Sequence, residues 1–178
     1  MYIISLPPIQ QEIKQTRPFG TQAEEAAVAL MRTADLVRRA VASVVEPHGL
    51  TPQQYNVLRI LRGAGDRGLP TLEIAERMIE QAPGITRLID RLEAKKLVRR
   101  ERCLTDRRQV FCLISAGGMA LLETLDEPIR HADSGALSAL ASSELKQLIE
   151  LLDRARNGIN DAISSRRNDQ HNSTRRIQ

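Results

Sequence analysis

Two apolar stripes with alternating spacings of four and three, one near each end of the chain, set the terms for any fold this sequence can adopt. Ala23, Ala27, Leu30, Ala34, Val37, Val41 and Val44 make the first, which ends at Pro47 and Gly49. Leu145, Leu148, Leu152, Ala155, Ile159 and Ala162 make the second, after Ser142, a residue suited to capping it. Each spacing puts one apolar face along a long helix. The two seams can pack on each other, pack on a symmetry mate, or simply cover the core of their own domain. Tyr2, Phe19, Tyr55 and Phe111 are the only aromatic residues, so a core must be built from Leu, Ile, Val and Ala. That suits helix against helix packing. It also counts against single-stranded nucleic acid as a partner, because unpaired bases are held on aromatic platforms.

Between the stripes the elements are short. Thr51-Pro52-Gln53-Gln54 is a helix start, with Thr51 as N-cap and Gln54 able to reach back to it; the helix carries Tyr55, Leu58 and Leu61 and stops in GAGDRG. Thr71, after Pro70, is expected to cap a short helix with Leu72, Ala75 and Met78 on one face. Pro83 falls in the first turn of the next helix, which buries Ile85, Leu88, Ile89 and Leu92 and runs to about Lys96. Two short helices so joined make a helix-turn-helix. The period then changes to two: Leu97 to Arg102 and Val110 to Ile114 are expected strands, with Val110, Cys112 and Ile114 on one face and the polar LTDRRQ between them. A hairpin tipped by Arg107 and Arg108 is a wing. Ser115 can cap a further helix, with Gly117 and Gly118 in its first turn and Leu122, Leu125 and Ile129 following.

The expected fold class is therefore mainly α with a small β-hairpin wing (α+β), a winged helix-turn-helix between long N- and C-terminal helices. Pro7, Pro8 and Pro18 mark residues 1–21 as an extended arm, and residues 166–178 are expected to be a disordered basic tail. In the intervening 22–165, the segments 22–46 and 119–165 are the expected dimerisation helices and 51–118 the expected DNA-binding part.

Charge is the second informative pattern. Thr86 to Arg108 holds nine Lys or Arg against four acids, a net +5 in a chain whose total is +4. A chain charged in this way meets a polyanion with one edge and keeps the rest of its surface clear of it. With Ile85, Leu88, Ile89 and Leu92 turned inward, Gly84, Arg87 and Arg91 form the outward row of the second short helix. Arginine there can bond in bidentate fashion to guanine O6 and N7, while Thr71, Gln81 and Thr86 can reach phosphates or base edges. Arg107 and Arg108 suit a minor groove or its phosphates, and Asp106, of the wrong sign for phosphate, suits orienting an arginine. The alternative is that Arg87 and Arg91 are solvated and paired with Asp90 and Glu93. Duplex readers commonly work as dimers on two half-sites, so a homodimer is expected.

Other chemistries find little support. GAGDRG matches G-x-G-x-x-G, yet a helix precedes it and a proline follows, whereas a dinucleotide site needs a strand before it and a helix starting inside it. His48, His131 and His171 are scattered, and Cys103 and Cys112 have no metal-ligand spacing, so neither a metal, a cofactor nor an enzymatic activity is expected. Cys103 lies beside Arg102, which leaves a thiol redox switch open; Cys112 reads as a small buried hydrophobe. No apolar run is long enough to span a bilayer, and MYIISLPPIQ lacks a basic n-region, so a cytoplasmic protein is expected.

The run GITRLIDRLEAKKLVRRERCLTDRRQVFCLISAGG resembles the recognition helix and wing of MarR-type regulators, which show a V-T-R-L-x-D-R-L-E helix, a G-L-V-like exit, a D-R-R wing tip and L-T-x-x-G at the next helix. The order of elements from Gln22 to Ser165 agrees as well. The resemblance implies a winged-helix homodimer with interlocked terminal helices, which binds a pseudo-palindromic duplex operator as a repressor or activator. It also implies release by a small, often phenolic or anionic, ligand held between the dimer helices and the winged helix, or by oxidation. Tyr55, His48 and Phe19 are the distinctive side chains for that region, the rest being aliphatic. Thr86, Arg87 and Arg91 match the helix that enters the major groove, and Asp106, Arg107 and Arg108 match the wing. The chain departs from the pattern in Ile114-Ser115 for Leu-Thr, in Leu113 at an often basic strand position, and in Gln81-Ala82-Pro83 for a hydroxyl cap. It also lacks the cysteine that the oxidation-sensing branch carries near the start of the first long helix. A winged-helix module that meets an acidic protein, or DNA without sequence preference, is the rival expectation.

Overall fold

The computed structural model describes residues 8–81, 83–102 and 110–175, the last ten of these in backbone only. The elements are α1 (Ile9–Glu12), α2 (Gln22–Val45), α3 (Pro52–Ala64), β1 (Leu69–Pro70), α4 (Thr71–Arg77), α5 (Ile85–Ala94), β2 (Val98–Arg102), β3 (Val110–Ile114), α6 (Ala116–Ala136) and α7 (Ser142–Arg175). This is the mainly helical fold with a small antiparallel sheet expected from the pattern. The chain divides into two compact units, Met1–Ser134 and Gly135–Gln178.

Local chemistry starts most of the helices of the first unit where it was expected. Thr21 caps α2 through Glu24 N at 3.1 Å. At α3, Thr51 Oγ1 accepts from Gln54 N and Gln54 Oε1 accepts from Thr51 N, each at 3.2 Å, a complete capping box. Ser115 Oγ accepts from Gly118 N at 3.0 Å and opens α6. At α4 the expectation fails, because the N-cap is Pro70, and Thr71 is already the first helical residue. Pro70 instead pairs with Phe111, and Leu69 with Cys112, so β1 extends the hairpin into a three-stranded sheet of order β1-β3-β2. A two-residue strand has no period to detect. GAGDRG is a turn: α3 ends at Ala64, and a single 3-10 turn follows over Gly65–Arg67.

The core gathers Tyr55, Leu58 and Leu61 of α3, Ile74 of α4, Ile89 and Leu92 of α5, Val98 and Cys112 of the sheet, and Leu122, Leu125 and Ile129 of α6. On α4 the inward residue is Ile74, with Ala75 and Met78 half-buried beside it; Leu72, expected on one face with Ala75 and Met78, is instead 72% exposed. A helix of seven residues is too short for a three-residue spacing to fix its inner face, and the i, i+4 pair of Ile74 and Met78 meets the core instead. Arg62 of α3 and Asp126 of α6 close the side of this core with two parallel bonds of 2.8 and 2.9 Å. Arg62 holds the Asp126 carboxyl below the ordinary carboxylate range.

The first stripe is only partly used within the chain. Val37, Val41 and Val44 are half-buried and Val45 fully buried, whereas Ala23, Ala27, Leu30 and Ala34 are exposed, as are Met31 and Leu36. Before α2, residues 9–12 form the short helix α1 rather than an extended segment, and Glu12 Oε1 accepts from Arg32 Nε at 2.7 Å. The fixed φ of proline is compatible with the entry to a helix as well as with an extended chain.

In the second unit α7 begins at Ser142, one residue earlier than a Ser142 cap would allow, and Glu144 reaches back to Ala141 N at 2.7 Å. It continues to Arg175, past the point where the sequence reading ends the helix and begins a disordered tail. Between Gly158 and Arg175 there is neither proline nor glycine to stop it.

The end of α5 contains a strained residue. Lys96 N bonds Glu93 O at 2.8 Å and Leu97 N bonds Leu92 O at 3.0 Å, the paired closure in which the residue between takes a left-handed backbone. That residue is Lys96, at φ 59°. Lys96→Gly is expected to stabilise the protein by about 1 kcal/mol, the cost of placing an L side chain in that region less the added chain entropy of glycine. A denaturant midpoint that rises at unchanged slope would show it; a midpoint below wild type would mean that the strain is not there.

Candidate nucleic-acid interface

The basic edge is built on α5. Ile89 and Leu92 are fully buried and Ile85 and Leu88 half-buried, which turns Thr86, Arg87, Asp90 and Arg91 outward. Arg87 and Arg91 are one turn apart on this exposed side. The helix starts at Ile85, two residues later than expected, because Gly84 occupies the N-cap with φ 95° and a left-handed residue cannot lie inside a right-handed helix. Gly84 supplies no side-chain acceptor, so the first-turn N–H groups of α5 carry no side-chain cap. An N-terminus left in this way, with its positive dipole end outward, suits an anionic oxygen. Arg87 folds back over Gly84, its Cδ lying 4.0 Å from where a Cβ at Gly84 would be.

The carboxylates on α5 decide whether these arginines are already neutralised. Asp90 and Glu93 both turn to Arg100 of β2: Nη2 donates to Asp90 Oδ1 at 2.6 Å and Nη1 donates to Glu93 Oε2. Arg100 is the half-buried residue of its strand because alternation puts it on the same side as buried Val98, facing α5, while Arg99 and Glu101 face out and pair with each other. Burial works against the charge of Arg100, but the bonds and charges of Asp90 and Glu93 outweigh it and raise its pKa. Among the described residues, neither Arg87 nor Arg91 is paired with a carboxylate. The expected alternative, in which Asp90 and Glu93 satisfy them, is not the arrangement found.

The remaining sequence-predicted residues are placed as follows. Gln81 and Gly84 are exposed before α5. Thr71 is half-buried at the start of α4, with its hydroxyl 3.9 Å from the buried Cys112 thiol. Asp106, Arg107 and Arg108, and the candidate redox residue Cys103, lie outside the described residues. Strands β2 and β3 pair in full register from Val98↔Ile114 to Arg102↔Val110. Of the residues proposed for a ligand region, Tyr55 is 5% exposed and burial pushes its phenol up, Phe19 is half-buried and His48 is exposed. Arg100 was missed by the sequence reading, although the two-residue period from Val98 marks it as the inward arginine of the run.

A helix-turn-helix followed by an antiparallel hairpin, with an arginine row on the second helix, defines a winged helix-turn-helix protein. The sequence profile of the MarR family matches residues 48–109. The HTH-type transcriptional regulator MhqR of Bacillus subtilis (strain 168) is 31% identical over 110 residues, 62% of this chain and 74% of that protein. The homoprotocatechuate degradative operon repressor of Escherichia coli is 25% identical over 130 residues, 73% of this chain and 86% of that one. The crystal structure of a MarR transcription factor from Planctomyces limnophilus shares 40% sequence identity with a TM-score of 0.59, covering 76% of this chain and 98% of the other. The chain belongs to the MarR family of transcriptional regulators. No helix among the described residues is long and apolar enough to cross a membrane.

Proposed function

We propose that this chain is a homodimeric, cytoplasmic repressor that reads a pseudo-palindromic operator in duplex DNA and leaves it when a small phenolic or anionic ligand binds. The observation that carries this reading is the pair Arg87 and Arg91, exposed one turn apart on α5 while the acids of the same helix are held by Arg100. In each subunit α5 enters a major groove. Arg87 and Arg91 contact base edges; Gln81, Thr86, Thr71 and the backbone at Gly84 contact phosphates or base edges; Arg107 and Arg108 reach the flanking minor groove with Asp106 orienting them.

The dimer is supported by the exposed part of the apolar stripe on α2, where Ala23, Ala27, Leu30 and Ala34 lie on one side of the helix and are exposed. Segments 22–46 and 119–165 would form that dimer and 51–118 would bind DNA. The sign of regulation is supported by the Escherichia coli relative, which is named a repressor, and release by a ligand is supported by membership of the family.

The test is a selection of bound duplexes from a random pool at about physiological salt, where non-specific binding is weak. An inverted repeat with half-site centres about one helical turn apart is the expected product. If no sequence is enriched, the basic edge serves non-specific DNA or an acidic protein and the operator reading fails.

A further inference from the structure

Lys95 continues the row of Arg87 and Arg91 at the same spacing of four, and by that spacing alone it would be a third DNA contact. The structure takes it elsewhere. Its Nζ donates to the carbonyl oxygen of Gly49 and lies 3.5 Å from Gln54 Oε1. Gly49 closes the 3-10 turn Glu46–His48 that follows α2, with its own N–H bonded to Glu46 O at 2.8 Å. Gln54 is 3% exposed, the one buried polar side chain among the described residues, and its Oε1 is already fixed by the capping box with Thr51. Both acceptors are therefore held rigidly at the junction between α2 and α3. Lys95 is the C-cap of α5, where the negative end of the helix favours an ammonium.

We infer that Lys95 is a positioning residue: it ties the C-terminus of α5 to the α2–α3 junction and so sets the tilt at which α5 meets DNA. The inference rests on the regulatory reading above and adds a route for it. A displacement at the end of α2, the helix with the exposed apolar side, is delivered directly to the recognition helix 46 residues away in sequence. The acceptors are carbonyl oxygens, so an uncharged side chain of similar length keeps the stem and removes only the tether.

Lys95→Met tests this on the duplex obtained by selection, beside a random duplex. Affinity for the selected duplex is expected to fall by about 2- to 30-fold, the range over which residues touching neither ligand shift a coupled equilibrium. Affinity for random duplex and the salt slope should stay as in wild type, and Lys95→Arg, which keeps a donor, should recover most of the loss. Without DNA, hydrogen exchange at the last turn of α5 should quicken in Lys95→Met while the amides of Val57 to Leu61 stay protected. An equal loss on both duplexes with a salt slope shallower by about 0.9 for each subunit in contact would make Lys95 a phosphate contact and overturn the inference. Unchanged discrimination, or unchanged exchange in α5, would overturn it as well. If wild type enriches no duplex, the operator reading fails by itself and the exchange experiment alone decides whether the tether holds α5.

Discussion

Gly118→Ala is expected to lower the unfolding free energy by about 2–4 kcal/mol, at the upper end of what overpacking costs, because the added carbon meets backbone that cannot move aside. A Cβ there would lie 2.3 Å from the carbonyl oxygen of Leu97 and 2.8 Å from Ile114 Cγ1. The Leu97 carbonyl accepts from Ser115 N at 3.0 Å, and Ser115 Oγ both donates to Lys96 O at 2.6 Å and accepts from Gly118 N. The start of α6 is thereby stapled to the segment between α5 and β2. Relief of the clash would have to separate α6 from the root of the wing. Gly117→Ala is the matched control: its nearest neighbour, the Lys96 carbonyl, would be 3.4 Å away. A gain of helix propensity should leave that variant neutral or slightly more stable. Denaturant unfolding of the two variants decides the matter, and a Gly118→Ala protein as stable as Gly117→Ala would refute the close approach of α6 to Leu97.

The second large effect is on DNA binding. If the dimer neutralises six or more phosphates, affinity for the selected duplex should drop by about 10³ or more between 50 and 200 mM salt. Within that dependence the two groups of arginines should behave differently. Arg87→Ala is expected to cost about 1–3 kcal/mol of discrimination between the selected and a random duplex, with the salt slope little changed, since a base contact releases no counterion. Arg107→Ala should weaken both duplexes alike and make the slope shallower by about 1 for each subunit in contact. Equal behaviour of the two variants on both duplexes would remove the assignment of α5 to base reading, and a salt-independent affinity would remove the electrostatic mechanism altogether.

What was legible in the sequence follows from how local each signal is. The capping box at Thr51, the Ser115 cap, the inner face of α5 and the strands β2 and β3 all rest on residues within a turn or a strand of one another, and each was placed correctly, although in β3 Val110 is exposed and Leu113, on the face opposite Cys112, is buried. The misplacements fall where the deciding partner is distant. Thr71 looked like a helix cap, but Pro70 is drawn into pairing with Phe111, which moves the cap back by one residue. Leu72 looked to share a face with Ala75 and Met78 because three-residue spacings match a helix face, but the sheet and α3 receive Ile74 instead. The start of α5 is the exception, since the deciding residue is a neighbour: Gly84 directly follows Pro83, and its left-handed backbone moves the first helical residue to Ile85.

That the chain is a helical protein with a hairpin wing, with its positive charge concentrated along one helix and that hairpin, can be read from the residues in order. Periodicity and charge are properties of neighbours in the chain, so no tertiary contact is needed to see them. Which of those charges remain available is settled by folding. Arg87, Arg91, Lys95 and Arg100 are four of the six basic residues between positions 87 and 100. Arg100 takes both Asp90 and Glu93, Lys95 is drawn to the Gly49 carbonyl, and Arg87 and Arg91 are left exposed without a carboxylate partner among the described residues. That division depends on a strand and a helix end brought beside α5 by folding, and the spacing of the residues along the chain does not encode it.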